Sequence, residues 1–189
     1  NFWGFKEVGI PLDEMKELYS YMKQCGKTTF LEVVAYTEEE CMEGAKMGVA
    51  CGVDYLLGTL YFDSINDYCK ENGMKYLPFV GTIEGRPSVL KGTMEEIIEQ
   101  GKQCLAKGVA GFDLLGYRYV GDAVELNRRF VAETPAPVVL AGSVNSYQRL
   151  DEVKAANPWA FTIGGAFFEN KFDGTFAEQI DKVVDYINK

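Results

Sequence analysis

Two glycine-containing segments near the C-terminal end of the chain have the residue types of an anion-binding site. One reads Ala-Gly-Ser-Val at 141–144 and the other Ile-Gly-Gly-Ala at 163–166, and each follows a short apolar run. Because glycine has no Cβ, backbone N–H groups in such turns can approach a ligand closely, and a short helix after the second turn would point its positive end at an anion. We predict a phosphate site formed by Gly142, Ser143, Gly164 and Gly165.

The same glycines would also suit tight strand-to-helix turns that bind nothing. A single turn of this kind favours the structural interpretation. Two in succession, at the end of a series of strand and helix units, favour phosphate binding, because the last two loops of a (β/α)₈ barrel commonly form such a site.

Four charged residues lie in apolar runs, where burial is costly unless the charge is paired or used. Lys6 and Glu7 are neighbours in a strand-like run, so only one of them can line an interior. Glu32 and Asp113 are each flanked by apolar residues. We predict Lys6 as a base or Schiff-base nucleophile and the two carboxylates in proton transfer. The alternatives are a solvent-exposed Lys6, a Lys6–Glu32 pair, or a purely structural polar layer.

Two arginines are candidates for binding a carboxylate or phosphate bidentately. Arg86 lies in the long polar segment 81–92, which we predict to be a loop whose residues 82–91 close over a substrate. Arg118 follows the strand-like run that contains Asp113. Either arginine would also suit a solvated loop.

The composition excludes several function classes. The 189 residues include no histidine, which removes Ser-His-Asp and Cys-His hydrolases and histidine-based zinc sites. The net charge of −9 disfavours nucleic acid and anionic membranes as partners. The sequence requires no cofactor, although Glu32 and Asp113 could hold Mg²⁺. We expect a cytoplasmic protein that forms homo-oligomers and binds a small phosphorylated metabolite.

Short apolar runs alternate with amphipathic helical patterns along the whole chain. Such alternation predicts a parallel sheet with right-handed crossovers in one domain, 1–189. Polar residues in the strands and small residues at their ends favour a (β/α)₈ TIM-type barrel over an open flavodoxin-like sheet. Because the chain opens almost directly in a strand, we expect a first βα unit to precede Asn1. The seven strand-like runs are 2–8, 30–36, 55–60, 76–81, 111–116, 138–142 and 160–165.

From Gly111 onward the chain resembles the last three βα units of the ribulose-phosphate-binding barrels. The resembling segments are Gly-Phe-Asp-Leu-Leu at 111–115, Ala-Asn-Pro at 156–158 and the two glycine segments. The resemblance implies a barrel fold and a sugar-phosphate-like ligand.

The resemblance assigns no branch of that group. The Asp-x-Lys-x-x-Asp strand of the decarboxylases and synthases and the metal-binding histidines of the pentose-phosphate epimerases are absent. In the acylaminosugar epimerases a strand lysine pairs with a glutamate in the strand before the first phosphate loop. Lys6 could serve as the lysine, but the corresponding strand here reads Leu140-Ala-Gly.

We therefore predict an enzyme that acts on a small phosphorylated sugar or related metabolite by enediolate, carbanion or Schiff-base chemistry. It would be an epimerase, isomerase, aldolase or decarboxylase. The alternatives are a phosphoribosyl-substrate barrel enzyme and a non-catalytic sensor of a phosphorylated metabolite.

Overall fold

Seven parallel strands alternate with helices in the computed structural model, which describes all of residues 1–189. A hairpin of two further strands follows the fourth parallel strand. The nine strands are β1 (Phe2–Lys6), β2 (Thr28–Val33), β3 (Tyr55–Gly58), β4 (Lys75–Leu77), β5 (Thr82–Glu84), β6 (Val89–Lys91), β7 (Phe112–Leu114), β8 (Val138–Leu140) and β9 (Ala160–Phe161). The eight helices are α1 (Leu12–Gln24), α2 (Glu38–Cys51), α3 (Asp63–Glu71), α4 (Met94–Ala106), α5 (Ala123–Glu133), α6 (Tyr147–Ala156), α7 (Gly165–Phe168) and α8 (Phe176–Ile187).

The parallel strands follow one another in space in the order in which they occur in the chain. Strands β1 to β4 form one sheet and β7 to β9 another. Two backbone hydrogen bonds join β4 to β7: Ala110 N–H donates to the Tyr76 carbonyl at 2.9 Å, and Asp113 N–H donates to the Pro78 carbonyl at 3.1 Å. An unreversed order is that of a barrel wall, whereas an open doubly wound sheet reverses its order at a switch point. The predicted barrel is confirmed, and the flavodoxin-like alternative is wrong.

The register of the strands determines which side chains face the barrel interior. Leu57, Leu77 and Val139 form a small buried cluster inside the wall. Glu32 pairs in register with Leu57, and Asp113 pairs with Val139. Since register partners on neighbouring strands point to the same face, Glu32 and Asp113 also point inward.

The alternate residues of the strands face the helices. There the main core, of 39 buried residues, is much larger than the three-residue interior cluster. Phe5 of β1, for example, stacks on Tyr19 of α1 with ring centroids 4.7 Å apart. Most of the apolar surface that stabilises the fold is therefore buried between wall and helices.

Local signals in the sequence set the helix ends. Thr37 accepts a hydrogen bond from the backbone N–H of Glu40, and three glutamates occupy the first turn of α2. An N-cap hydroxyl and acidic residues at the positive end of a helix are both stabilising. At the other end, Gly52 is left-handed (φ 66°) and caps the helix.

The segment 81–92 is not the loop that the sequence predicted. Strands β5 and β6 pair antiparallel, with Ile83 opposite Leu90, and both of these side chains are buried. Thr82 and Glu84 are exposed. The period-2 alternation on either side of a four-residue turn is the hairpin signal that the glycine and proline content obscured.

The two outermost strands of the barrel wall, β1 and β9, each have a neighbour on one side only. Phe2 and Trp159 meet at this seam with ring centroids 5.0 Å apart. No helix in the structure combines the length and the apolar character needed to cross a bilayer.

Replacing Leu57 with alanine should destabilise the protein by about 2–5 kcal/mol, because it leaves a cavity in the closed interior of the barrel. Leu18→Ala on the surface of α1, where the leucine is 38% exposed, is the matched control and should change stability by less than about 0.5 kcal/mol. Urea unfolding followed by circular dichroism measures both. Equal effects would mean that Leu57 is not a packing residue of the interior.

Candidate functional site

A cavity of about 250 Å³ opens at the C-terminal ends of the barrel strands. This is the end of a β/α barrel at which catalytic and binding residues collect, because the loops after the strands meet there. Seven of the nine site residues that the sequence predicted line the cavity. They are Lys6, Glu32, Arg118, Gly142, Ser143, Gly164 and Gly165.

One end of the cavity presents backbone N–H groups. Gly142 and Ser143 both have left-handed backbone conformations, with φ of 79° and 58°. The N–H groups of Gly142, Ser143 and Gly164 donate to no backbone carbonyl of the chain. Successive N–H groups in turns of this kind form a concave donor surface that suits an anion.

Arg118 lies directly beside these turns. It ends the 3-10 turn after β7, and a Cβ on Gly142 would lie only 2.8 Å from its Nε. Glycine at 142 is therefore what allows the guanidinium to occupy this place. The Arg118 Nε is buried without a hydrogen-bond partner, and its Nη1 makes one long bond, of 3.4 Å, to the Ser88 carbonyl. Most of the five guanidinium donors remain free to bind an anion.

The cavity wall also holds an ion pair. The Lys6 Nζ lies 3.7 Å from a carboxylate oxygen of Glu32, and the two residues are register partners on β1 and β2. The Lys6 side chain is 51% exposed, whereas that of Glu32 is only 13% exposed. Burial raises the pKa of Glu32, and the charge of Lys6 opposes that rise.

Asp113 lies in the interior behind this pair. It is fully buried, and neither of its carboxyl oxygens has a hydrogen-bond partner. Burial raises the pKa of Asp113 well above its ordinary value, and the negative charge of Glu32 raises it further, while Lys6 opposes both effects. Burial therefore favours the neutral, protonated form of the Asp113 carboxyl group.

The structure separates Glu7 from its neighbour Lys6. Glu7 does not line the cavity. Its Oε1 instead accepts a hydrogen bond from the Val34 N–H at 2.9 Å. Glu7 still acts on the site at a distance, because its charge raises the pKa of Glu32.

Arg86 lies outside the cavity, exposed at the tip of the β5–β6 hairpin. It donates to the Val34 carbonyl at 3.2 Å and stacks over the Tyr36 ring at 5.2 Å. The Tyr36 hydroxyl is 2.6 Å from the Ser88 Oγ and donates to the Gly85 carbonyl at 3.0 Å. These contacts fasten the hairpin to the segment after β2, and of this group Val34 and Ser88 line the cavity.

Sequence reasoning missed several polar residues of the cavity wall: Ser88, Asn145, Thr162 and Glu169. Asn145 and Thr162 lie next to the predicted phosphate turns, so their adjacency was the available signal. No sequence pattern links Glu169 to the cavity, because the four-residue helix α7 separates it from the second glycine turn.

The residues present do not form a metal centre. No group of three or more cysteine and carboxylate residues is arranged to hold a metal ion. The proposed Mg²⁺ ligands, Glu32 and Asp113, are only two, and Lys6 lies beside them. Mg²⁺ held by two carboxylates completes its coordination with water and substrate phosphate oxygens, and none of the residue roles proposed for this cavity requires it.

No protein-family model matches the sequence, and no curated protein matches it. Solved structures do resemble this one. The N-acetylmannosamine-6-phosphate 2-epimerase from Clostridium perfringens is 14% identical with a TM-score of 0.57, and the match covers 99% of this chain and 93% of the epimerase. A native KDPGal structure is 11% identical with a TM-score of 0.59, and the match covers 98% of this chain and 92% of that one.

FabK from Thermotoga maritima also matches. Its M276A variant is 14% identical with a TM-score of 0.59, and the match covers 87% of this chain. This chain spans only about half of the two FabK structures, 57% of one and 48% of the other. Together these likenesses show the TIM-barrel fold that the sequence resemblance implied. At such low identity they establish the fold alone.

Because burial favours a proton on Asp113 in the folded protein, we predict that stability depends on pH. Above pH of about 4 the unfolded chain releases this proton while the folded protein keeps it, so the free energy of unfolding falls as pH rises toward the folded-state pKa. The slope for one such group is at most about 1.4 kcal/mol per pH unit. Asp113→Asn should remove this contribution, so that its stability rises relative to the wild type between pH 4 and 8.

Urea unfolding at a series of pH values measures the difference. Asp181→Asn, at an exposed position on α8, controls for the loss of a carboxyl group elsewhere. Parallel curves for the wild type and Asp113→Asn would mean that Asp113 is ionised in the folded protein.

Proposed function

We propose that this protein is an enzyme that moves a proton at a carbon next to the carbonyl group of a small phosphorylated sugar or related metabolite. One observation carries the proposal. A single small cavity is lined both by groups that suit an anion, Gly142, Ser143 and Arg118, and by a lysine–carboxylate pair.

The phosphate group would bind at the glycine turns. Backbone N–H donors and a guanidinium are the groups that bind phosphate most strongly in proteins. With the phosphate fixed, the carbon chain would extend toward Lys6 and Glu32. This orientation presents the reacting carbon to acid and base groups without a cofactor.

Glu32 is the proposed base. Burial raises its pKa, which brings a carboxylate closer to the basicity that proton abstraction requires near neutral pH. Lys6 would stabilise the negative charge that develops on the carbonyl oxygen as the enediolate forms, or would bind the carbonyl carbon as a Schiff base. Asp113, as a neutral acid, would limit the negative charge behind Glu32.

Proton exchange tests this chemistry whichever product the reaction forms. In D₂O, NMR should show deuterium entering the position next to the carbonyl of phosphorylated aldoses and ketoses when the protein is present. Glu32→Gln should slow this exchange by about 10²–10⁴-fold, the usual contribution of a general base. Lys6→Met should slow it as well.

The matched control for Lys6→Met is Lys91→Met, because Lys91 is exposed on the hairpin and does not line the cavity. It should exchange deuterium at the wild-type rate. Binding without exchange in the wild type, or an unchanged rate in Glu32→Gln, would refute the enzymatic proposal and favour a metabolite sensor.

Glu169 gives a test of where the anion binds. This exposed carboxylate lies 3.8 Å from the position that a Cβ on Gly165 would occupy, and it pairs with Lys171 at 3.4 Å. Its charge should oppose an anion at the second glycine turn. Glu169→Gln should therefore tighten phosphate binding by up to about fivefold, as expected for an exposed charge interaction.

Isothermal titration with inorganic phosphate at low salt measures the effect of Glu169→Gln. Glu133→Gln, on α5 and outside the cavity, should leave the affinity unchanged. Weaker binding by Glu169→Gln would mean that the anion does not lie at the second turn.

A further inference from the structure

We infer that the β5–β6 hairpin, fastened by the hydroxyls of Tyr36 and Tyr119, holds the Arg118 guanidinium beside the anion-binding turns before a ligand binds. Tyr36 and Tyr119 are positioning residues, since neither lines the cavity. The inference rests on the proposed function, because it assumes that Arg118 binds the phosphate group. It gives the hairpin a part in binding that needs no closing movement.

The backbone next to Arg118 is joined to strand β6. Leu90 and Tyr119 form a parallel β-bridge, and the Val120 N–H donates to the Leu90 carbonyl at 3.1 Å. The Tyr119 hydroxyl donates to the Gly92 carbonyl, directly after β6, at 2.9 Å. Leu90 is fully buried, so the strand that holds this segment is itself anchored in the core.

The 3-10 turn that ends at Arg118 also packs against helix α5. A Cβ on Gly116 would collide with the buried Asn127 side chain, so only glycine allows this close approach. Within the turn, the Arg118 N–H donates to the Leu115 carbonyl at 3.0 Å. Because the turn is held by both α5 and β6, the point from which the Arg118 side chain extends is fixed.

The hairpin also contacts the guanidinium itself. The Arg118 Nη1 donates to the carbonyl of Ser88, which lies in the hairpin turn, at 3.4 Å. The Ser88 Oγ is 2.6 Å from the Tyr36 hydroxyl, and that hydroxyl donates to the Gly85 carbonyl at 3.0 Å. Tyr36 follows β2, the strand that carries Glu32. The hairpin therefore connects the part of the wall that supplies Glu32 to the part that supplies Arg118.

The position of Arg118 matters because the cavity also contains carboxylates. Glu32 and Glu169 line it as well, and the charge of Arg118 opposes the rise in the pKa of Glu32. A guanidinium that was free to turn would be drawn toward these carboxylates, and an anion would have to compete for it. A group that is already in place binds more tightly, because less side-chain freedom is lost when the ligand arrives.

A double-mutant cycle with inorganic phosphate tests the inference. NMR titration at low salt would follow the backbone amides of Gly142 and Ser143, and it measures a Kd well into the millimolar range. Tyr36→Phe combined with Tyr119→Phe removes the hydroxyl bonds that fasten the hairpin, so we expect the Kd to rise about three- to tenfold. In an Arg118→Met background the same two substitutions should leave the Kd unchanged, because the group that they position is absent.

Two controls separate positioning from a general loss of stability. Tyr186→Phe loses a hydroxyl bond of 2.8 Å to Asp151, and neither residue lines the cavity, so this variant should retain the wild-type Kd. In the combined tyrosine variant, hydrogen exchange of the Val120 N–H should become faster. The Ala110 N–H, which joins β4 to β7 in the barrel wall, should keep its protection.

An unchanged Kd in the combined variant would overturn the inference and leave the phosphate site intact. An equal rise in Kd with and without Arg118 would overturn it too, because the effect would then not pass through the guanidinium. Wild-type affinity in Arg118→Met alone would remove Arg118 from the anion site and the inference with it. Absence of phosphate binding by the wild type would overturn the proposed function as well.

Discussion

A charge in the interior of a parallel barrel must be balanced by another group inside the wall or by water at its rim. In this protein the apolar side chains of Leu57, Leu77 and Val139 share the interior with Glu32 and Asp113, and Lys6 lies beside Glu32. Removing an ion from water costs several kcal/mol, and Lys6 supplies one positive charge for two carboxyl groups. Burial therefore raises the pKa of Glu32 and raises that of Asp113 well above its ordinary value, while Lys6 opposes both effects.

The same constraint explains why the cavity lies where it does. Lys6 is half exposed, so its charge is partly solvated at the mouth of the barrel, while Asp113 lies deeper without access to water. Polarity therefore increases from the apolar interior toward the C-terminal rim. At the rim the chain turns through Gly142 and Ser143, where left-handed backbone geometry leaves N–H groups unpaired and makes room for Arg118. The groups proposed for anion binding and those proposed for proton transfer thus meet at one end of the barrel for separate physical reasons.

The comparisons place the fold among proteins as different as an epimerase and FabK. A fold shared by such different proteins says little about the reaction, so the assignment depends on the site. The site departs from the acylaminosugar epimerase pattern, as the sequence predicted. The strand before the first glycine turn, β8, carries no carboxylate, whereas β2 and β7 supply Glu32 and Asp113. The carboxyl groups proposed for proton transfer therefore lie on other strands of the wall.

Much of the fold was predictable because its signals are local. The bounds of α1 and α8 follow directly from the periodicity of their apolar residues. All seven parallel strands lie at or near their predicted positions, and each is shorter than its apolar run or shifted by a residue or two. The segment 81–92 was predicted wrongly, because its glycines and proline indicate a loop. The segment is a hairpin because Ile83 and Leu90 are buried, and that burial depends on contacts with the barrel. The position of Arg86 was unpredictable for the same reason.

The sequence by itself determined the alternation of strands and helices, the two glycine turns and the presence of charged residues in apolar strands, because each of these is written in the spacing of neighbouring residues. Only the tertiary structure decided that Lys6 rather than Glu7 lines the cavity, that Lys6 pairs with Glu32, and that Asp113 is fully buried. Those outcomes depend on strand register and on burial, which are set by residues far apart in the chain. The same holds for Arg118 beside Gly142 and for Glu169 at the cavity wall, since no local pattern records which loops meet at the rim of a barrel.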